Sequence, residues 1–189
     1  MQEKTTAALA KALAAEQLPF VQQEVLAGHT TFKIGGPAAF WCAPRNAAEL
    51  RRILQHCRVQ GVRVYLLGNG SNTLFDDAGF DGAVVDMRGL NEMKASDADT
   101  DLVRITAGAG QTLGRLCSKA QTLGLTGLEF ACGIPGTVGG AVYMNAGAYG
   151  GELKDVLESV TFLDSDLQLR TLPAADLKMG YGTSLFEEN

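Results

Sequence analysis

Apolar residues at helical spacing predict three helices along the chain. Apolar positions recur three and four residues apart in Thr5–Leu18, Ala47–Gln60 and Leu113–Ala120. The first helix has possible caps at Thr5 or Thr6, and we expect Pro19 to end it. Asn46 is a favourable cap for the second helix, and Gly61 is a favourable residue directly after its end.

Short runs of β-branched and apolar residues predict strands between and after these helices. The runs are Ala39–Ala43, Val62–Leu67, Ala83–Met87, Leu102–Ala107, Val156–Leu163 and Leu167–Leu172. The last two are predicted to form a hairpin, and the polar residues 96–101 are predicted to be a turn. Because helices and strands alternate without regular βαβ repeats, the sequence predicts an α+β domain of two lobes.

Length and charge narrow the possible functions. The 189 residues fit one domain, and the net charge of -5 comes without a basic block. Nucleic acid and anionic membrane surfaces are therefore not expected as partners. No apolar run approaches the roughly 18 residues of a membrane span and no leader pattern is visible, so we expect a cytosolic protein. The oligomeric state stays open.

Cysteine and histidine do not form a metal-binding pattern. The four cysteines contain no CxxC pair, and their immediate neighbours are largely apolar: Cys42, Cys57, Cys117 and Cys132. We expect all four to be buried thiols, because a free cysteine behaves as a small apolar side chain. His29 and His56 are too few and too far apart for a cluster, so no metal is predicted.

The least ordinary stretch is the glycine-rich segment from Gly127 to Glu152. Glycine is favoured where the backbone needs a positive φ or where another group approaches closely. Gly133–Gly140 is predicted to turn sharply before a helix that starts at Ala141, and exposed N–H groups there would suit a pyrophosphate. Alternatively, the small residues only allow two elements to pack closely, and the residues alone leave both interpretations open.

Two further glycine corners follow predicted strands. Gly68–Asn72 is a second candidate phosphate loop, although it could equally be a hairpin turn. It is not the dinucleotide fingerprint GxGxxG, since no long helical pattern follows it. Gly108–Gly110 is the third corner. Three such corners are what a cleft for a long, doubly charged cofactor needs.

The joint pattern of these corners resembles the UDP-N-acetylenolpyruvoylglucosamine reductases, the bacterial flavoenzyme family called MurB. The segments that carry the resemblance are His29–Ala38, Leu67–Asn72, Gly127–Phe130 and Gly133–Glu152. The tail Gly180–Phe186 is similar to that family's GYR-x-S-x-F element. GIPGTVGGAVYMNAG is specific to the family, whereas GxGSN recurs in flavin-binding domains of the vanillyl-alcohol-oxidase type.

The resemblance implies an organisation and a reaction. Residues 1–175 would form an FAD-binding domain in two lobes, and residues 176–189 would begin a substrate-binding domain that is mostly absent. Implied ligands are noncovalent FAD, NADPH as hydride donor, and UDP-N-acetylglucosamine-enolpyruvate, which is reduced to UDP-N-acetylmuramate for peptidoglycan. The implied cofactor-binding residues are Gly68, Asn69, Gly70, Ser71, Asn72, Gly108, Gly133, Ile134, Pro135, Gly136, Thr137, Gly139, Gly140 and Asn145.

The resemblance also implies catalytic groups that this sequence lacks. In the family, an Arg of the GYR element and a Glu near the carboxyl terminus polarise the substrate carboxylate, while a Ser donates a proton. The position of that Arg is Gly182 here, beside Tyr181, a weaker candidate for substrate contact. The segments with the Ser and Glu are absent, and Ser184 is not expected to replace the proton donor. We therefore expect the chain alone to be inactive as a reductase.

Two other functions stay open at this point. A flavin- or nucleotide-binding module that has lost the chemistry would agree with Gly182. Another oxidase of the same superfamily would agree with the fold, and some of these attach FAD covalently through a histidine. His29 is the only histidine near a family motif, but the resemblance gives it no such role. Tyr143 could line the flavin or could only pack with its hydroxyl satisfied. Glu152 could meet a flavin or substrate group, although a carboxylate after a glycine turn is more often solvated.

Overall fold

The computed structural model describes residues 2–99 and 101–187 and has the predicted α+β fold. The chain divides into two compact units, one up to Leu90 and one from Asn91 onwards. No helix in the described part of the chain is long and apolar enough to cross a membrane. The proposed division at residue 175 is a different boundary, and it stays a prediction.

The first unit contains a four-stranded sheet and two helices. Its elements are α1 (Glu3–Ala15), β1 (Phe20–Val25), β2 (Pro37–Cys42), α2 (Ala47–Val59), β3 (Val64–Leu67) and β4 (Phe80–Asp86). The strand order is β1-β2-β4-β3, with β1 antiparallel to β2 and with β2 and β3 both parallel to β4. The segment β2-α2-β3 is thus one βαβ crossover, which the sequence pattern did not predict.

The core of the first unit is built around β4, whose last five residues are all buried. One cluster joins the sheet to the following loops, and its buried members are Leu26, Ala38, Trp41, Leu67, Phe75 and Val84. Leu9 and Leu13 of α1 and Ile53 of α2 are fully buried as well. The predicted apolar stripes of both helices therefore face the interior.

The second unit contains two helices and three two-stranded ladders. Its elements are β5 (Met93–Asp99), β6 (Leu102–Ala107), α3 (Leu113–Thr122), α4 (Val138–Tyr143), β7 (Gly147–Ala148), β8 (Gly151–Glu152), β9 (Ser159–Leu163) and β10 (Leu169–Pro173). β5 pairs with β6, β7 with β8, and β9 with β10, all antiparallel. The buried centre of its core comprises Leu113, Leu116, Ala141, Val142 and Leu153.

Several boundaries differ from the predictions, among them both ends of the first helix and one turn. Helix α1 begins after Gln2 without a side-chain cap, so the predicted caps at Thr5 and Thr6 were wrong. It ends before Pro19, at Ala15, and Gln17 then adopts a positive φ of 54°. The predicted turn at residues 96–101 is mostly strand β5, because an exposed hairpin strand needs no alternation of apolar residues.

Other predictions of local structure were confirmed. Asn46 caps α2, and its side-chain Oδ1 accepts a hydrogen bond of 2.9 Å from the N–H of Glu49. Gly61 has a φ of 63° directly after the helix, as a C-terminal glycine requires. The predicted hairpin is present as β9 and β10, with Leu163 opposite Leu169.

Candidate functional site

The loop Gly68–Asn72 leaves the end of β3 and packs on the segment around His29. The backbone N–H and the hydroxyl of Thr31 both donate to the carbonyl oxygen of Gly70, at 3.0 and 3.4 Å. Gly70 has a φ of 62°, and a Cβ there would overlap the carbonyl oxygen of His29. Two separate stretches of the family resemblance therefore meet within the first unit.

The motif Gly133–Gly140 packs on the corner Gly108–Gly110 within the second unit. The N–H of Gly139 donates to the carbonyl oxygen of Ala109 at 2.8 Å, and the N–H of Val138 donates to that of Gln111 at 2.7 Å. A Cβ on Gly139 would lie 2.8 Å from the Cβ of Ala109, which is too close. Gly139 is therefore required for the close packing of two elements.

Helix α4 begins at Val138, three residues before the predicted start at Ala141. Thr137 is its cap, and the side-chain oxygen accepts a hydrogen bond of 3.4 Å from the N–H of Gly140. Together with the bonds of Val138 and Gly139, this cap satisfies the first N–H groups of the helix. The predicted exposure of N–H groups at the helix start was therefore wrong.

Other N–H groups of the glycine segments remain available to an anionic ligand. Across residues 2–99 and 101–187, no protein acceptor is bonded to the N–H groups of Gly133, Gly136 or Thr137. The same holds in that part of the chain for Asn69 and Gly70 of the first loop. A Cβ on Gly133 would meet no atom within 4 Å, so the protein leaves space beside it. Within each unit, unbonded N–H groups of this kind are suitable donors to an anionic oxygen.

Ser71 and Asn72 already have interaction partners within the protein. Ile134 and Pro135 lie between Gly133 and Gly136, and Ile134 packs against the core of the second unit. Gly108 donates its N–H to the carbonyl oxygen of Glu92 at 2.8 Å. These contacts give the residues structural roles in the fold.

Asn145 connects three segments of the second unit. Its amide Nδ2 donates to the Glu152 carboxylate at 2.7 Å and to the carbonyl oxygen of Gly180 at 2.9 Å, while its Oδ1 accepts from the N–H of Lys154 at 3.0 Å. The residue is buried and has a φ of 44°, a conformation that asparagine tolerates better than most residues. Its side chain is thus fully used in holding the fold.

Glu152 is held by neighbours rather than being a free solvated carboxylate. Lys154 forms an ion pair with it at 2.7 Å, and Asn145 donates a hydrogen bond. The Lys154 contact, followed by the Asn145 bond, lowers the pKa of Glu152. The side chain is therefore an anion at neutral pH.

The position that the resemblance assigns to an arginine lies in a tight turn. Gly180 and Thr183 exchange two backbone hydrogen bonds of 3.0 and 3.3 Å, and Gly182 between them has a φ of 68°. A Cβ on Gly182 would meet no atom within 4 Å. Tyr181, the other predicted catalytic residue, is 98% exposed. Space for a side chain exists at position 182, but the backbone conformation favours glycine.

The tail after this turn is anchored to the second unit. The hydroxyl of Ser184, a buried residue, donates to the carbonyl oxygen of Tyr143 at 2.6 Å. Phe186 packs on Phe162 with a ring separation of 5.1 Å. The Ser184 hydroxyl therefore holds the tail against the end of α4.

His29 is half-buried in the first unit. Its ring stacks on Trp41 at a centroid distance of 3.8 Å, and its Nε2 contacts the Glu24 carboxylate at 2.7 Å. The Arg88 guanidinium approaches Nδ1 at 3.4 Å. Both ring nitrogens thus have polar partners in the fold.

Cysteine burial follows the prediction at three of four positions. Cys42, Cys57 and Cys117 are buried, but Cys132 is exposed, so the expectation for Cys132 was wrong. Cys132 directly follows a short 3-10 turn, where a largely apolar neighbourhood in sequence does not ensure burial. In the described part of the chain, no group of three or more possible ligands could hold a metal ion.

Comparison with known proteins shows the family. The model of a family described as FAD binding domain matches residues 38–172, which include all three glycine corners. The chain belongs to this FAD-binding family. The predicted cofactor and the predicted fold class agree with it.

Two curated relatives bear the same name. The chain is 42% identical over 184 residues to a UDP-N-acetylenolpyruvoylglucosamine reductase of Agathobacter rectalis, covering 92% of this chain and 58% of the relative. It is 44% identical over 164 residues to one of Synechococcus, covering 87% and 51%. The chain thus spans about half the length of the curated relatives it matches.

Solved structures give the same fold. The MurB reductase of Thermus caldophilus matches with a TM-score of 0.67 and 32% identity, over 88% of this chain and 56% of that one. A solvent-stable cholesterol oxidase matches with a TM-score of 0.68 at 22% identity, over 85% and 34%. The second likeness, at this low identity, shows the fold alone.

The structural roles of two residues, Asn145 and Ala109, were not predicted from the sequence. Nothing local marks Asn145 as a connector of three segments, although its place at the end of a helix offered a hint that it adopts a positive φ. Nothing local shows that Ala109 lies against Gly139. Both roles depend on contacts between residues distant in sequence.

Proposed function

We propose that this chain binds FAD noncovalently through its glycine segments, as the FAD-binding part of a UDP-N-acetylenolpyruvoylglucosamine reductase. The match of the FAD-binding family across residues 38–172 carries the proposal. The unbonded N–H groups of Asn69, Gly70, Gly133 and Gly136 support it, because they offer donors to phosphate oxygens. The proposed cofactor-binding residues are those implied by the resemblance, with Gly139 and Asn145 acting through the fold.

The proposed reaction is the NADPH-dependent reduction of UDP-N-acetylglucosamine-enolpyruvate to UDP-N-acetylmuramate in peptidoglycan precursor synthesis, in the cytoplasm. The names of the relatives support it. FAD, when bound, would supply the hydride transfer, while the protein binds and orients the reactants. Position 182 bears no guanidinium to stabilise charge on the substrate carboxylate. Loss of one such group costs about a hundredfold to a thousandfold in rate, so we expect little turnover by this chain alone.

The visible absorption spectrum tests the binding proposal. The purified chain is mixed with FAD, excess FAD is removed, and the spectrum is recorded before and after denaturation. We expect a stoichiometric flavin band that leaves with the small molecules on denaturation. A folded chain that retains no flavin would contradict the proposal, and flavin that stays attached after denaturation would contradict noncovalent binding.

A matched pair of glycine variants tests the site. Neither Gly133 nor Gly114 has an atom within 4 Å of an added Cβ, so Gly133→Ala and Gly114→Ala both fit the protein. Gly114 lies in α3 and has no proposed role in binding. We expect Gly133→Ala to weaken FAD retention and Gly114→Ala to leave it unchanged. Equal retention in the two variants would remove Gly133 from the proposed site.

A binding module without catalytic activity is the second candidate, and Gly182 favours it. The test is turnover of the enolpyruvyl substrate with NADPH by the FAD-loaded chain. An ordinary enzyme rate would exclude the module and would also contradict the expected effect of Gly182. Retained flavin without turnover agrees with both candidates. In that case, the Gly182→Arg variant is supplied with the remainder of a homologous reductase. Recovered turnover would then favour the reductase over the binding module.

A further inference from the structure

Two cysteine thiols that the proposed function does not use lie side by side in the second unit. The thiol of Cys117 donates to the carbonyl oxygen of Leu128 at 3.5 Å, and the thiol of Cys132 donates to the same oxygen at 3.7 Å. Both side chains therefore converge on one acceptor atom. Both thiols are free, so the structure brings together a reduced pair from positions 15 residues apart in sequence.

The two thiols differ in their access to solvent. Cys117 lies in α3 and is 6% exposed, whereas Cys132 is an exposed residue at the end of a 3-10 turn. Burial, followed by the contact with Cys132, raises the pKa of the Cys117 thiol to about 11, and the nearby Glu129 carboxylate adds to the shift. An oxidant from solution can therefore reach Cys132, while Cys117 is placed to react afterwards.

We propose that Cys117 and Cys132 are a redox-sensitive dithiol, which a small disulfide such as oxidised glutathione converts to an intramolecular disulfide. The Cys132 thiolate attacks one sulfur of oxidised glutathione, forms a mixed disulfide and releases one glutathione thiolate. Cys117 loses its proton to solvent and attacks the Cys132 sulfur, which releases the second glutathione. Two protein thiols are oxidised, and one glutathione disulfide is reduced to two thiols.

The disulfide would link α3 to the residue directly before Gly133. In the reduced protein, the two cysteine side chains are joined through weak hydrogen bonds to the Leu128 carbonyl oxygen. A covalent bond would replace them and close a loop of 16 residues, from Cys117 to Cys132. The modification thus acts on the segment that enters the glycine motif, but its formation does not depend on flavin binding.

Cys42 and Cys57 provide an internal control. They are also close enough to influence each other electrostatically, and both are fully buried. Burial raises the pKa of Cys42 to about 12 and that of Cys57 to about 11. Because neither thiol reaches solvent, the same reagent should leave this pair reduced in the folded protein.

Peptide mapping of the folded, fully reduced chain after incubation with oxidised glutathione tests the proposal. Remaining thiols are alkylated after unfolding, and the peptides are analysed by mass spectrometry. We expect a linked peptide pair containing Cys117 and Cys132, with Cys42 and Cys57 alkylated. A stable glutathione adduct on Cys132 with Cys117 still free would overturn the proposal, as would faster linkage of Cys42 to Cys57.

Two variants assign the order of the steps. Cys132→Ser should abolish the modification of Cys117 in the folded protein, because no exposed thiol then starts the exchange. Cys117→Ala should stop the reaction at the mixed disulfide on Cys132. Glutathione attached to Cys117 in folded Cys132→Ser would contradict the proposed order. The peptide map of the unchanged chain decides whether the disulfide forms, even where a variant is too unstable to assay.

Discussion

Replacing Asn145 tests the conclusion that this residue holds the second unit together. Asn145→Ala removes two hydrogen bonds to neutral backbone groups and one to the Glu152 carboxylate. A neutral bond contributes about 1 kcal/mol and one to a charged group about 2 kcal/mol, so their loss lowers the free energy of unfolding by about 4 kcal/mol. Alanine at a φ of 44° costs about 1 kcal/mol more.

Asn145→Gly separates these two contributions. Glycine loses the same three hydrogen bonds but adopts the positive φ without strain, so it should be at least as stable as the alanine variant. Asn145→Asp is the near-isosteric variant. It keeps an acceptor for the N–H of Lys154, but it places a second carboxylate against Glu152, so we expect it to be destabilised above the pKa of the new carboxyl group.

Urea unfolding followed by circular dichroism measures these free energies. Hydrogen exchange at the N–H of Lys154 gives a local readout: protection should fall in the alanine and glycine variants and persist in the aspartate variant. Trp41 is the only tryptophan and lies in the first unit, so its fluorescence monitors that unit separately. A loss below about 1 kcal/mol in Asn145→Ala would refute the argument, because it would equal only one typical hydrogen bond.

Two further predictions concern packing and acid stability. Gly139→Ala should lower the free energy of unfolding by about 1 to 3 kcal/mol, because its Cβ would lie 2.8 Å from that of Ala109. Gly133→Ala is the control, and equal urea midpoints for the two variants would contradict the packing role. The contact with Arg52 lowers the pKa of Glu16 to about 2. The ion pair therefore stabilises the folded protein above pH 4.5, and this stabilisation is lost as the pH falls towards 2. Carboxyl titration by NMR should show this midpoint, and Arg52→Ala should raise it; a midpoint near 4.5 in the unchanged protein would show that the ion pair does not form.

Local patterns predicted the elements that have one apolar face. Helix α3 was found because Leu113, Leu116 and Cys117 form a stripe that is buried in the structure. Strand β5 was missed because residues of an exposed hairpin carry no such stripe. The parallel arrangement of β2, β4 and β3 was not predicted either, since order within a sheet depends on contacts between distant segments.

The candidate site was predicted in part, through glycine. The sequence located all three corners but left open whether each glycine serves close packing or an anion. The structure assigns Gly139 to packing, because the carbonyl oxygen of Ala109 accepts its N–H. Gly133 and Gly136 keep unbonded N–H groups in the described part of the chain. No rule based on one sequence could have separated these cases, because the deciding atom belongs to Ala109, 30 residues earlier.

The position of β4 in the sheet has a consequence for biosynthesis. β4 lies between β2 and β3 and is the last of the four strands in sequence. A ribosome therefore completes β3 before it makes the strand with which β3 pairs. At about 5 to 20 residues per second, the 19 residues from Gly68 to Asp86 take about 1 to 4 seconds. Until β4 follows, β2 and β3 both lack a strand with which they pair in the folded sheet.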